Sequence, residues 1–588
     1  MAPESSRDKT ETSTVQTRST PDRKKVSGWS WLIRIIAVCV LFRWLNNRFD
    51  YMPMVYGLNY LLPKACVYLI ALFSLVALLL SRSAWIRWPA LVWVLLTCGV
   101  QIGFYRSTGR GFSLEEAIGF LGATDAIGDC LRLYWKLALP ALVALIVIGA
   151  GVIWALRRYL VEVGPWWSLT SLPALAGALA LAWQTQGFAS PFTTPYRVTA
   201  LLSYVMATRY AGPREQPLLP APPLESERVP HLILIIDESV LGCELSINGY
   251  PRPTTPFLEK HPGAFWNGGI ASSGAIKTEP SNRMIYSGLR FDQLPDAADR
   301  MGKNPSLCSY AIQAGYACEC LFAQSFRSLV AQDLHAFPPA KLAYTENLNP
   351  VEYQREFELI SPLQAFLQAH ETSFTYINKR GAHFPYAMHC PEDRRVFGKG
   401  TGADCSWSFD LLANVNDYDN CLRYVVDEYL SRLSVALEAS GKDVLVLYTS
   451  DHGQTLPGSL GTNAIRATHG YATLPPITAN VPLMAFGFGP KGRAFIGKLA
   501  QNDTLFNNCT HFQIFPTLLR AMGYPPEQVQ KLYSPSLLDR LPRPQPRTYV
   551  GDLGGGKHCK FREFPPEQNG IATNLYDEVM HWKAPPAH

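Results

Sequence analysis

The chain carries no Cys-x-x-Cys pair, no internal repeat and no stripe of basic residues interleaved with aromatics. The first absence excludes a zinc ribbon, the second a solenoid or propeller, and the third a nucleic-acid surface, so nucleic acid is not an expected partner. A formal net charge of +6 spread over 588 residues does not change that reading. No cleavable signal peptide is visible. Residues 1–27 lack any apolar stretch and are rich in Ser, Thr and charge, which reads as a disordered tail. Arg23, Lys24 and Lys25 close it, just ahead of the first apolar run. The length exceeds one ordinary domain, so two or more packed units are expected.

What the chain does have is two unlike parts, which a mean hydropathy of +0.01 averages away. The first third holds five segments apolar enough to cross a bilayer, a task that takes roughly 20 residues of helix. They fall at 28–46, 58–80, 87–105, 134–156 and 166–186. Arg34 and Arg43 lie inside the first and must snorkel or face protein. Arg82 and Arg87, with Arg157 and Arg158, join the basic tail on one side, which the positive-inside rule makes cytoplasmic. Five spans then carry the C-terminal part across the membrane. The expected organisation is a cytoplasmic tail (1–27), a five-helix transmembrane domain (28–186), a bridging surface-lying segment and Pro-rich linker (187–230), and an α/β domain with a mostly parallel sheet (231–588).

Within that last part, His231 to Ile236 is a short continuous apolar run ending in Asp237 and Glu238, the pattern of a buried parallel strand delivering carboxylates at its C-terminal end. A second run, Val444 to Tyr448, ends in Thr449, Ser450, Asp451, His452 and Gly453. Ligand and metal sites of open α/β sheets sit at such strand ends. Two carboxylates and an imidazole make a good zinc set with one position left for a nucleophile. Alone, each piece has a blander reading: a D-E pair starting a helix, or a D-H-G turn. The segment SSGAIKTEPSNRMIYSG (272–288), one helix and loop after the first strand, turns the pieces into a constellation. Thr278 either caps the helix that follows it or serves as nucleophile, and a helix N-terminus also binds phosphate.

These motifs resemble those of the membrane-anchored phosphoethanolamine transferases that modify lipid A, members of the alkaline-phosphatase and sulfatase superfamily related to lipoteichoic acid synthases. The resemblance covers the anchor and most of 231–525. DESVLGCELSINGYPRPTTPFLEK (237–260) is similar to the family's opening motif, SDHGQTL to its S-D-H-G-E element with Gln454 in place of Glu, VPLMAFG (481–487) to its closing strand, and ATDAIGDC (123–130) to a stretch before its fourth span. It implies an alkaline-phosphatase-like domain in the periplasm of a bacterial inner-membrane protein. It implies zinc as cofactor, in one tight site with room for a second and with manganese or magnesium as substitutes, held by Glu238, Thr278, Asp451 and His452.

Thr278, preceded by Lys277 as in lipoteichoic acid synthases, is the implied nucleophile, with Ser281 as second choice. His383 in GAHFPY, His469 in ATHGY and Arg327 are the implied phosphate contacts, and His389 is a structural or outer residue. An oxidising periplasm implies disulfides, most simply Cys390 with Cys405 and Cys308 with Cys318 or Cys320. The implied activity transfers phosphoethanolamine from a phospholipid donor to an envelope glycolipid or glycan through a threonine-linked intermediate, and the implied protein is a monomer in contact with membrane. The alternatives are phosphoglycerol transfer from phosphatidylglycerol, a membrane-tethered phosphodiesterase or sulfatase, and a catalytically dead scaffold. Sulfatase chemistry needs Cys or Ser in C/S-x-P-x-R. Here Thr278-Glu279-Pro280-Ser281-Asn282-Arg283 has the proline but a different nucleophile and an extra residue.

Overall fold

The computed structural model describes residues 58–108, scattered residues between 112 and 154, 163–184, 192–208, 215–222 and most of 228–562, with 325–340, 345–350, 402–407, 551–559 and most of 460–475 as its main gaps. The tail, the expected span 28–46 and Arg327 lie outside the described residues.

Helices α1 (Leu58–Leu79), α2 (Ala84–Thr108) and α3 (Ser171–Gln184) fall on three of the expected spans. Among the described residues one helix, Ala84–Phe104, is long and apolar enough to cross a membrane, not five, and Cys66–Leu79 is a shorter apolar helix. Segment 134–156 is helical where it is described. Leu139, Val143, Ile146, Val147 and Trp154 on it are exposed, as are Ile70, Phe73, Trp88, Val92, Leu96 and Trp183 on the other helices. Apolar residues facing outward around a packed interior suit a bilayer as solvent. The turn after α1 lies beside the chain entering α3: the Arg82 N–H donates to the Val163 carbonyl at 3.1 Å, and the Val163 N–H to that of Leu80 at 3.1 Å.

Residues 187–210 were expected to lie on a surface. Instead α4 (Thr194–Thr208) packs into the helices. Ala174, Ala178 and Ala182, one turn apart on α3, are buried in the same cluster as Tyr196, Leu201 and Val205 of α4, small residues letting helix backbones approach closely. Tyr196 OH and Ser74 Oγ share a hydrogen bond at 2.8 Å, and Trp93 Nε1 donates to Thr199 Oγ1 at 2.8 Å.

The soluble part is built on seven strands: β1 (His231–Asp237), β2 (Phe265–Ser272), β3 (Ala317–Phe322), β4 (Lys341–Tyr344), β5 (Ser373–Asn378), β6 (Val444–Ser450) and β7 (Asn480–Phe488). Their order is β2-β7-β6-β1-β5-β3-β4. The five from β6 to β4 run parallel, whereas β7 is antiparallel to both β6 and β2. The sheet is therefore mixed, mostly parallel as expected. Alternation along β1 sends Leu232, Leu234 and Ile236 to one apolar cluster and Ile233 and Ile235 to the other. A strand covered on both faces must be apolar at every position, which is why HLILII shows no period of two.

The Pro-rich stretch does not hang free of this domain. The Glu215 N–H donates to the Lys303 carbonyl at 2.7 Å, the Leu218 N–H to Tyr310 OH at 2.9 Å, and Gln313 Nε2 to the Leu219 carbonyl at 2.9 Å. Leu219 and Val229 are buried in the larger cluster, so packing begins ahead of His231.

The expected disulfides do not form. Cys308, Cys318, Cys320 and Cys390 all carry free thiols, and Cys405 lies outside the described residues. The thiols of Cys318 and Cys320 both lie against that of Cys308, Cys318 Sγ also facing the Cys308 carbonyl at 3.7 Å, and Cys390 Sγ faces the carbonyl of Pro391 at 3.5 Å.

Candidate active site

The register Asp237↔Ser450 brings the ends of β1 and β6 side by side, so Glu238 and Asp451–His452 emerge from neighbouring strands. The two acids after β1 point to different places. Asp237 accepts from Lys379 Nζ at 2.5 Å and Tyr448 OH at 2.7 Å beneath the site. Glu238 faces the open end. Between them the chain can turn because Gly381 sits against it at φ +52: a Cβ there would lie 2.1 Å from Asp237 Oδ1. Ser239 has φ 59, an uncommon conformation for a residue with a side chain. It donates its N–H to Asp451 Oδ1 at 3.0 Å and its hydroxyl to Glu238 Oε1 at 2.9 Å.

Thr278 opens helix α5 (Thr278–Ser287), and the residue at the cap position is Lys277. No side-chain capping bond is made, so the Thr278 hydroxyl is not spent on capping. It lies 3.2 Å from Glu238 Oε2, 3.4 Å from Oε1 and 3.2 Å from His452 Nε2. His452 Nε2 in turn is 3.4 Å from Glu238 Oε1 and 3.3 Å from Asp451 Oδ2. His452 Nδ1 donates to the Gly453 carbonyl at 2.8 Å, which fixes the proton on Nδ1 and leaves Nε2 a bare lone pair. Three oxygens therefore surround a lone pair. Asp451 Oδ2 is buried without a hydrogen-bond partner.

Electrostatics agrees. Burial and the charge of Asp451 push the Glu238 carboxyl up to about 7, burial pushes Asp451 up to about 6, and burial holds the His452 imidazole below its usual range. The imidazole stays neutral with its Nε2 lone pair free, and the two carboxyls resist their charged form for want of a positive partner. A cation would supply it, and the donor set fits zinc: ligand bonds of about 2.0–2.1 Å in a tetrahedron put donors ~3.3 Å apart, the spacing seen around Thr278, Glu238, Asp451 and His452.

His469 lies over this set, its ring 4.1 Å from that of His452, and Glu238, His452 and His469 offer ligand atoms within 4.8 Å of one another. His383 is close enough to act on both Glu238 and His469, and Lys277 on His469. The His383 Nδ1–H donates to the Phe384 carbonyl at 2.7 Å, which aims its other nitrogen. His389 is buried and kept neutral by burial beside Arg380 and His383. Ser281 is turned from that set: its hydroxyl donates to the Asp451 carbonyl. Gln454, which departs from the family's Glu, accepts from Tyr386 OH at 3.1 Å in the layer beneath.

Two residues escaped the sequence reading. Gln324, at the end of β3, donates through Nε2 to Glu238 Oε2 at 3.0 Å and to the Lys379 carbonyl at 2.9 Å. His511, on a single turn (His511–Gln513), sits behind α5. The only available signal for Gln324 was its place just past an apolar run, ECLFAQ.

A mixed sheet with helices on both faces, carrying carboxylates, an imidazole and a threonine at its strand ends, defines an alkaline-phosphatase-like α/β domain. The sulfatase family model matches residues 230–524, half of the chain, and the chain belongs to that family. It is 25% identical over 228 residues to phosphoethanolamine transferase EptC of Escherichia coli O18:K1:H7 (strain RS218 / NMEC), 38% of this chain and 39% of that one. It is 26% identical over 284 residues to phosphoethanolamine transferase EptA of Helicobacter pylori, 46% of this chain and 49% of that one. The matches thus span from about two fifths to half the length of these relatives. The integral membrane protein lipooligosaccharide phosphoethanolamine transferase A (EptA) from Neisseria meningitidis shares the fold, with a TM-score of 0.57 at 18% identity, covering 87% of this chain and 99% of that one.

Proposed function

We propose that the protein transfers phosphoethanolamine from phosphatidylethanolamine to a cell-envelope acceptor, lipid A, a lipopolysaccharide core or a periplasmic glycan, through a phosphothreonine intermediate on Thr278. The observation that carries this reading is the ring of donors 3.2–3.4 Å apart with the Thr278 hydroxyl as one member. Names of the curated relatives support the headgroup. In this reading the chain is a five-span inner-membrane protein with its domain in the periplasm. Glu238, Asp451, His452 and Thr278 hold zinc, which when bound lowers the pKa of a coordinated hydroxyl and takes up developing negative charge.

Deprotonated Thr278 Oγ1 attacks the phosphorus of the donor. The new P–O bond forms as the bond to the diacylglycerol oxygen breaks, and that oxygen takes up the proton that Thr278 gave up. An acceptor hydroxyl or phosphate, its proton accepted by His383 or His469, then displaces Thr278, which takes up the proton the acceptor gave up. Lys277, with Arg327 from the sequence reading, offsets charge on the non-bridging oxygens, the dominant contribution in phosphoryl transfer. Ser281 has no part in this, because its hydroxyl is engaged behind the helix.

Incubating the full chain in detergent with phosphatidylethanolamine and no acceptor is expected to leave a phosphoethanolamine adduct on the peptide containing Thr278, and Thr278→Ala to abolish it. An adduct of phosphoglycerol mass, formed only with phosphatidylglycerol, would move the donor to the alternative. An adduct on Ser281 would overturn the nucleophile.

A further inference from the structure

The His511 ring touches three segments that must hold still relative to one another if Thr278 is to meet its partners. Nδ1 lies 3.1 Å from the Gly274 N–H, in the loop that leads to Thr278, and 3.1 Å from Ser281 Oγ, one turn into α5. Nε2 lies 3.2 Å from Thr449 Oγ1, two residues before Asp451. A backbone N–H can only donate, so Nδ1 is an acceptor and the ring proton resides on Nε2, donated to Thr449. Thr449 passes its own proton to the Pro482 carbonyl at 2.7 Å, and Ser281 passes its proton to the Asp451 carbonyl.

The ring reaches this place because its turn is fixed. Thr510 and Gln513 form a reciprocal cap around His511, and the Ser272 N–H donates to the Cys509 carbonyl at 3.0 Å, laying the turn along the end of β2. Burial drives the imidazole down to about 3, so it stays neutral with one tautomer throughout the working pH range.

We infer that His511 is a positioning residue for the transfer reaction: its Nδ1 accepts from the Gly274 N–H and so holds the loop that leads to Thr278, while the ring packs against Ser281 in the first turn of α5, and the Thr278 hydroxyl stays in register with Glu238, Asp451 and His452. The inference rests on the reading of Thr278 as nucleophile. Its specific content is that the Nδ1 side matters for catalysis and the Nε2 side for holding β6. Asn presents an acceptor near the position of Nδ1, and Gln presents a donor near that of Nε2.

The test compares wild type, His511→Asn, His511→Gln and His511→Phe for the rate of adduct formation on Thr278 at saturating phosphatidylethanolamine, for donor KM, for zinc content and for Tm. Expected is a loss of 10-fold or more in adduct rate for Gln and Phe with donor KM and zinc content near wild type, and recovery to within about 3-fold for Asn, because a displacement of about 1 Å at a reacting atom costs on the order of 100-fold. Rates that follow Tm across the three variants, with Asn no better than Gln at equal stability, would reduce His511 to a core residue and overturn the inference. A wild-type protein that forms no adduct at all would instead sink the function proposed above.

Discussion

At the scale of single residues, the site separates groups that hold the reaction from groups that hold those groups. Gln324 belongs to the second kind, bridging Glu238 Oε2 to the Lys379 carbonyl. Removing such a partner of a metal-ligating carboxylate weakens the metal by roughly 10–100-fold. Gln324→Leu is accordingly expected to lower zinc affinity by that factor in a chelator competition while leaving Tm with metal nearly unchanged, and wild-type affinity in the variant would refute the role. Glu238, Asp451 and His452 were legible in the sequence because each lies within four residues of the end of an apolar run, and Thr278 because its motif is distinctive. Gln324 and His511 were not. Their importance comes from partners 86 and 237 residues away, and no local pattern marks them. The D-E pair was legible only as two carboxylates at one place, whereas the end of β1 sends Asp237 beneath the sheet end and Glu238 into the site.

At the scale of elements, the sheet is held together at its catalytic end by a buried charge cluster. Lys379, just after β5, bonds Asp237 of β1 at 2.5 Å, lies 3.4 Å from Glu356 Oε2, donates to the Val425 carbonyl at 2.5 Å and rests 4.3 Å from the centre of the Tyr429 ring. Burial opposes its charge, but the Asp237 and Glu356 carboxylates outweigh burial and raise its pKa. Taking away one partner of a buried pair leaves the other charged and alone, at a cost of about 3–5 kcal/mol. Lys379→Met is expected to lower the urea midpoint by a matching amount. A loss under about 1 kcal/mol, the range of an exposed ion pair, would contradict this account. Strands β1 and β6 were read from sequence to within a residue or two. The direction of β7 was not, since a buried apolar run reads the same either way. Strand β2 has no comparable run, because Gly268 and Gly269 break FWNGGIAS and shift its register against β7.

At the scale of the whole molecule, the two parts obey opposite rules: the helices expose apolar side chains, and the α/β domain hides them. A reporter fused after Gly212 should be periplasmic and one at Arg157 cytoplasmic, and swapped signals would overturn the five-span proposal. Cys308, Cys318 and Cys320 come together as the sequence spacing suggested but as three thiols, a redox state that no sequence carries. The pinned stretch at Glu215 has a consequence of reach. Helix α4 ends at Thr208, and the chain is fastened to the domain at Glu215. Seven residues of leash extend at most about 25 Å, less than the roughly 30 Å hydrocarbon thickness of a bilayer. Under the proposed transfer, a domain so tethered cannot range outward to collect an acceptor, and the acceptor would have to come to the lipid surface.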